Sequence, residues 1–171
     1  MARAGVRLVY GGGSIGLMGT IAREAIAGGG EVLGIIPGFL RDREVAMVDG
    51  GDLIVTNDMH ERKRAMFEHS DAFVALPGGI GTLEETVEMM TWVQLGQHQK
   101  PIVLANVDGF WNPLTGLFVH IEKAGFLHAP PRGGSLYRVV DEIDSVLPTV
   151  MHELETAYAD PNPSHGSTEL M

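Results

Sequence analysis

The sequence has no cysteine among its 171 residues. That excludes disulfide scaffolds, thiolate zinc or iron–sulfur sites and cysteine nucleophiles. Basic residues are scarce: 12 lysines and arginines face 22 aspartates and glutamates, a net charge of −10 with histidine neutral. A nucleic-acid surface needs a dense basic face to release counterions, so this balance argues against one. It leaves room for a small anion, because backbone N–H groups and one or two arginines hold a phosphate locally. No apolar run approaches the ~20 residues of a membrane helix. The N-terminus MARAGVRLVY lacks the separate basic region and cleavage site of a secretory signal. No membrane partner is expected, and a cytoplasmic location is the simplest reading. No compact His/Asp/Glu cluster suggests a metal.

Glycine is abundant instead. There are 23 glycines, roughly twice the average share of ~7%. They have no G-X-Y period, so collagen is excluded, and 44% hydrophobic residues are too many for a disordered chain. The length suits one domain with one core.

Short apolar runs alternate with helix-like segments. The spacing predicts strands at Val6–Tyr10, Val32–Ile36, Leu53–Thr56, Ala72–Leu76, Ile102–Ala105 and Leu136–Val140. It predicts helices at Leu17–Ala27, Met59–His69, Leu83–Leu95, Leu114–Ala124 and Glu142–Leu154. Continuous apolar strands alternating with helices point to an α/β class: a Rossmann-like, doubly wound parallel sheet in a single domain, residues 1–158. The segment from Ala159, ADPNPSHGSTELM, has two prolines and few apolar residues and is expected to be a disordered tail. In such sheets ligands bind at the carboxyl ends of the strands, so the residues after each strand carry most of the information.

The first such segment is Gly11–Gly19, GGGSIGLMG. Gly11, Gly13 and Gly16 have G-x-G-x-x-G spacing between a strand and a helix. Gly12, Gly13, Ser14 and Gly16 are candidate ligand contacts, with backbone close to a phosphate and the helix dipole behind it. A nicotinamide site would also want an acidic residue at the end of the second strand. That strand ends in Pro37–Gly38, and Glu31 stands at its other end, so the dinucleotide reading loses its second element. A tight turn with no ligand stays open.

The second segment is Pro77–Glu85, PGGIGTLEE. Gly78, Gly79 and Gly81 free the backbone, and Thr82 can cap the helix while donating a hydroxyl to a ligand. Glu85 has a plain alternative: Thr82-x-x-Glu85 is capping-box spacing. Glu84 can be solvated surface. Two glycine-rich loops in one small chain tip the balance toward a site. A third segment, Asp58–Arg64, opens a helix whose Asp58 and Glu61 also have capping-box spacing. Arg62 and Lys63 in its first turns suit either a site or a solvated face.

Together these residues resemble the Lonely Guy (LOG) family, cytokinin riboside 5′-monophosphate phosphoribohydrolases. Val9–Gly19 is similar to the family's VYGGGS-x-GLMG loop. Met59, Arg62, Lys63 and Met66 match M-x-x-RK-x-x-M. Pro77, Gly78, Gly79, Gly81, Thr82 and Glu85 match PGG-x-GT-x-x-E, and TWVQLGQHQKPIVLANVDGF and EKAGFL follow the family downstream. The resemblance covers roughly residues 5–150. It implies hydrolysis of the N-glycosidic bond of a nucleoside 5′-monophosphate, yielding an N6-modified adenine and ribose 5-phosphate. By position, Arg62 and Glu85 match the catalytic pair, and Glu44, Lys63, Gly79, Thr82 and Thr91 fall at substrate contacts. No cofactor is implied, and a homodimer packed largely through Leu83–Leu95 is. Members usually begin with a further strand and helix, so this chain is expected to lack them.

The chemistry suits the residues. Breaking a ribosyl C–N bond builds positive charge on the sugar. A carboxylate beside the anomeric carbon, here Glu85, stabilises that charge and orients water. Arginine is a poor proton donor, so Arg62 is expected to act by electrostatic positioning. Two other readings stand beside this one. A carrier of a nucleotide-like cofactor, as molybdenum-cofactor carriers resemble, has little use for a carboxylate near a phosphate. A lysine decarboxylase needs a Schiff-base lysine for pyridoxal phosphate, and none of Lys63, Lys100 and Lys123 sits in a convincing motif. His60 and His98 are expected on the surface or in the core. Met66, Phe67, Met89, Met90 and Trp92 read as core by default.

Overall fold

A computed structural model describes residues 1–41, 50–131 and 133–159, with the side chains of residues 158 and 159 excepted. Glu44 and the tail from Asp160 onward lie outside the described residues. The chain divides into two compact units, Met1–Asp71 and a second beginning at Ala72.

The first unit runs β1 (Leu8–Tyr10), α1 (Gly16–Ala27), β2 (Val32–Pro37), α2 (Gly38–Arg41), β3 (Asp52–Thr56) and α3 (Met59–Glu68). The second runs β4 (Phe73–Ala75), α4 (Ile80–Gln94), β5 (Ile102–Ala105), α5 (Asn112–Lys123), β6 (Arg138–Val140) and α6 (Ile143–Ala159). Each unit holds a three-stranded sheet in chain order, β1-β2-β3 and β4-β5-β6. All neighbouring strands are parallel, as helical crossovers require. This is the α/β, Rossmann-like class.

Burial follows strand position. The central strands β2 and β5, VLGIIP and IVLA, are buried along their whole length. The outer strands of each sheet are partly exposed. That is why the continuous apolar runs mark the centres of parallel sheets.

In the first unit Ala22 and Ala25 of α1 pack on Tyr10 and Val32, with Leu8 and Ile26 beside them. Alanine at the contact brings helix and strands close. In the second unit Val146 and Val150, one helical turn apart on α6, pack on Val103 and Ala105 of β5, with Leu154 continuing the face. Each valine so buried contributes roughly 1.5–3 kcal/mol at most.

The six predicted strands all form, within two residues of their expected limits. The short helix α2 was not expected, and two helix ends differ by three residues or more. α6 extends to Ala159, so that residue closes the helix rather than opening the tail; Glu155–Ala159, ETAYA, is good helix sequence. α4 begins at Ile80 with Gly79 as its N-cap, three residues before the expected start.

Candidate active site

The first glycine loop leaves β1 at the carboxyl end of its strand and enters α1. Gly11, Gly12 and Gly13 are buried, Ser14 is half-buried, and Gly16 is the first residue of α1. Gly12 has φ +76°, and a Cβ on Gly34 of β2 would lie 3.0 Å from the Gly12 Cα. The pair of glycines therefore lets the loop backbone lie on β2. The Ser14 carbonyl accepts a hydrogen bond of 3.1 Å from the Arg23 Nη1.

α3 begins where the sequence indicates. The Asp58 carboxylate caps it, accepting from the Glu61 N–H at 2.8 Å. That bond, ahead of weaker effects of His60 and Arg64, holds Asp58 below the usual aspartate range. Glu61 Oε2 in turn accepts from the Asn57 backbone N–H and side-chain amide, both at 2.8 Å, one residue before the usual capping-box target.

The cap sets the helix phase. Met59, Arg62, Lys63 and Met66 have i, i+3, i+4, i+7 spacing and share one face. All four are buried or half-buried, whereas His60, Glu61 and Arg64 are exposed. Arg62 is only 8% exposed. Its Nε donates to the Ile35 carbonyl of β2 at 3.1 Å and its Nη2 to the Gly11 carbonyl at 3.4 Å. A Cβ on Gly11 would overlap Nη2. A buried guanidinium is thus pinned between the sheet and the first glycine loop. This removes the solvated-face alternative for Arg62 and leaves it in force for Arg64.

In the second unit β4 opens into Pro77–Gly79 and then α4. The expected capping box does not exist: Thr82 is the third residue of α4, and the N-cap is Gly79 at φ −88°. The flexible glycines let the helix start earlier than its first Ser/Thr-type signal, so Glu85 lies a full turn inside it. Gly78, Gly79, Gly81 and Glu84 are exposed, and Thr82 and Glu85 are half-buried. No described atom lies within 4 Å of where a Cβ would stand on Gly79 or Gly81. Thr91 is exposed, and its hydroxyl donates to the Val87 carbonyl at 2.8 Å. The candidate residues thus fall in both units: Gly12 to Gly16, Arg62 and Lys63 in the first, and Gly78 to Glu85 and Thr91 in the second.

Sequence reasoning missed a cluster at the carboxyl ends of β5 and β6. Asn106 and Trp111 are buried there, 3% and 4% exposed. The Asn, Asp and Gly of NVDGFWN were a turn signal, read only as part of a family stretch. His98 is a core residue, 8% exposed. Its Nε2 lies 3.1 Å from the Met89 carbonyl, and its Nδ1 accepts from the Lys100 N–H at 3.1 Å. Those two bonds together fix the neutral Nε2–H tautomer. His60 is exposed, and Met89 and Met90 are buried. Among the described residues no three His, Asp or Glu side chains gather as a metal site. No described helix is long and apolar enough to cross a membrane.

Fold and loops together define an α/β protein of Rossmann-like class, with glycine-rich loops at the carboxyl ends of parallel strands. Residues 18–150 match the family model described as "Possible lysine decarboxylase". The chain is 52% identical over 128 residues to "Probable cytokinin riboside 5'-monophosphate phosphoribohydrolase LOGL1" of Oryza sativa subsp. japonica, covering 75% of this chain and 57% of that protein. It is 50% identical over 127 residues to "Cytokinin riboside 5'-monophosphate phosphoribohydrolase LOG5" of Arabidopsis thaliana, covering 74% and 56%. A third relative, "Probable cytokinin riboside 5'-monophosphate phosphoribohydrolase LOG4" of Oryza sativa subsp. japonica, is 47% identical over 140 residues, covering 82% and 60%. The chain belongs to the LOG family, and it spans a little over half the length of these curated relatives.

Proposed function

We propose that this chain hydrolyses the N-glycosidic bond of an adenosine 5′-monophosphate, N6-modified in the preferred substrate. The products are the free cytokinin-type base and ribose 5-phosphate. The observation that carries the reading is the buried Arg62 guanidinium, pinned on the Gly11 carbonyl in a loop with no room for a side chain there. A buried cation beside a glycine loop suits a phosphorylated ligand in a chain of net charge −10. The names of the relatives supply the reaction.

In this reading Arg62 acts by fixed charge, and Glu85 stabilises the cationic sugar and orients the attacking water. Gly12, Gly13, Ser14, Gly16, Gly78, Gly79 and Gly81 offer backbone to the 5′-phosphate. Lys63, Thr82, Glu84 and Thr91, with Glu44, complete the contacts. The loss of the capping box supports Glu85, because the plain alternative for its presence is gone. Lysine decarboxylation is disfavoured: Lys100 precedes β5 at its amino end, and Lys123 is exposed at the end of α5. We further read the protein as a cytoplasmic homodimer packed through α4, and residues 1–158 as one domain.

The test is base release from isopentenyladenosine 5′-monophosphate, AMP and the unphosphorylated riboside. Release is expected from the monophosphates only, and a loss of at least a hundredfold in folded Glu85→Gln and Arg62→Ala. Undiminished turnover by Glu85→Gln sinks the assignment. Tight nucleotide binding without base release would favour the cofactor carrier.

A further inference from the structure

We propose that Trp111 is a positioning residue for the second glycine loop and that Asn106 holds it in place. The role rests on reading Gly78–Glu85 as part of the base-releasing machinery.

Four observations within the second unit carry it. First, the buried Trp111 indole donates from Nε1 to the carbonyl of Ala75 at 3.1 Å. Ala75 is the last residue of β4, and the loop departs from the sheet just beyond it. Pro77 has no N–H, so the loop begins with one backbone donor fewer. Packing alone would be served by any large aromatic; only tryptophan brings both bulk and a ring N–H to that carbonyl.

Second, Asn106 ties the turn that presents Trp111 to the end of β6. Its Oδ1 accepts from the Trp111 N–H at 2.7 Å, and its Nδ2 donates to Asn112 Oδ1 at 3.0 Å and to Asp141 Oδ1 at 2.7 Å. Third, the Asn106 backbone N–H donates to the Val140 carbonyl at 2.7 Å. The carboxyl ends of β5 and β6 are joined by that bond, and Trp111 carries the connection to β4. Fourth, the turn is tight and closed on Asn112, built by residues that accept left-handed backbone. Asp108 is left-handed at φ +53°, and a Cβ on Gly109 would lie 2.6 Å from Asn112 Nδ2. The three strand ends thus set the departure point of the loop, and a misplacement of about 1 Å there is enough to cost on the order of a hundredfold in rate.

The experiment uses the full chain and three variants. Trp111→Phe keeps a six-membered aromatic ring and removes the donor with the pyrrole part of the indole. Asn106→Asp keeps the acceptor for the Trp111 N–H but sets a carboxylate against Asp141. Phe110→Leu removes the edge-on ring contact to Trp111, whose centroids are 4.9 Å apart, without touching the donor. Hydrogen–deuterium exchange across residues 76–82 reads the position of the loop, and steady-state base release reads its consequence.

In Trp111→Phe, exchange is expected to rise about tenfold in that segment and kcat to fall about tenfold, with KM changed less than threefold. In Asn106→Asp, kcat relative to native is expected to climb as pH falls from 8 to 5.5, because a protonated carboxyl regains its donor to Asp141. A merely structural role would not move that ratio. Phe110→Leu is expected to match the native chain in both readouts. Native exchange in Trp111→Phe, or altered exchange with native kcat, overturns the proposal. A native chain that releases no base refutes the reaction instead, and the exchange data alone then decide whether Trp111 positions the loop.

Discussion

Gly11→Ala is the sharpest probe of how the first unit is built. The Gly11 φ is not in the left-handed region, so alanine adopts its backbone without strain. On the unfolded-state argument the substitution would stabilise by about 0.4–1 kcal/mol. The obstacle is Arg62. The new Cβ would overlap Nη2, and the nearest atom outside Arg62, Met18 Sδ, is at an ordinary 3.5 Å. The guanidinium must therefore move by about an ångström, losing its bond to Gly11 and straining the one to Ile35. Hydrogen bonds to a charged group are worth about 1.5–3 kcal/mol each, and the Gly11 contact at 3.4 Å is the weaker of the two. The gross cost is about 2–4 kcal/mol, and the net cost after the alanine gain about 1.5–3 kcal/mol.

Urea unfolding followed by far-UV circular dichroism measures it. In an Arg62→Ala background the obstacle is gone, and Gly11→Ala should stabilise by about 0.4–1 kcal/mol. An equal cost in both backgrounds would refute the reasoning, since the penalty would then have nothing to do with the guanidinium.

Two further predictions follow from the second unit. Gly79→Ala places a Cβ in open space at φ −88°, so stability should fall by no more than about 1 kcal/mol, the N-cap preference for glycine over alanine. Turnover of a nucleoside monophosphate should nevertheless fall at least tenfold, and native turnover would remove Gly79 from the site. His98 is held below its ordinary value of 6.5, first by burial and then by the Lys100 charge, against the opposing bond to Met89. The unfolded chain therefore takes up a proton at His98 before the folded chain does. Stability should be full above about pH 6.5 and decline as pH falls below it. Thermal unfolding read by tryptophan fluorescence at pH 7.5 and 5.5 should show a smaller loss in His98→Gln, which keeps a donor and an acceptor; an unchanged loss would acquit His98.

The strands and most helices were legible because burial on both faces writes itself as uninterrupted apolar sequence, as in VLGIIP and IVLA. The start of α3 was legible because Asp58 supplies a side-chain cap. The start of α4 was not. Its N-cap is a glycine with no side chain to announce it, so Thr82 drew the reading three residues too far. Arg62 could not be assigned to core or surface from its neighbours, because Lys63 and Arg64 are equally basic. The decision lies in the helix phase, which turns residue 62 inward and residue 64 outward. Asn106 and Trp111 escaped notice because their partners, Asp141 and Ala75, are 35 and 36 residues away. No local pattern encodes such a pairing.

Glycine shows most clearly what sequence composition leaves unsaid. The excess of this residue places eight glycines in the two loops, 11, 12, 13, 16, 19, 78, 79 and 81, and counted as sequence they look alike. In space they differ. At Gly11 the missing Cβ is filled by Arg62, at Gly12 the backbone turns through positive φ onto β2, and a Cβ on Gly19 would overlap the Ser14 carbonyl. These glycines serve the chain's own packing and would be needed with no ligand at all. At Gly79 and Gly81 no described atom occupies the space, and neither residue has a left-handed φ. Gly81 lies in the first turn of α4, as its second residue. Glycine at 79 and 81 is thus not demanded by packing, as the proposed ligand contact expects, whereas Gly78 is, because its Cβ would overlap Thr82 Oγ1.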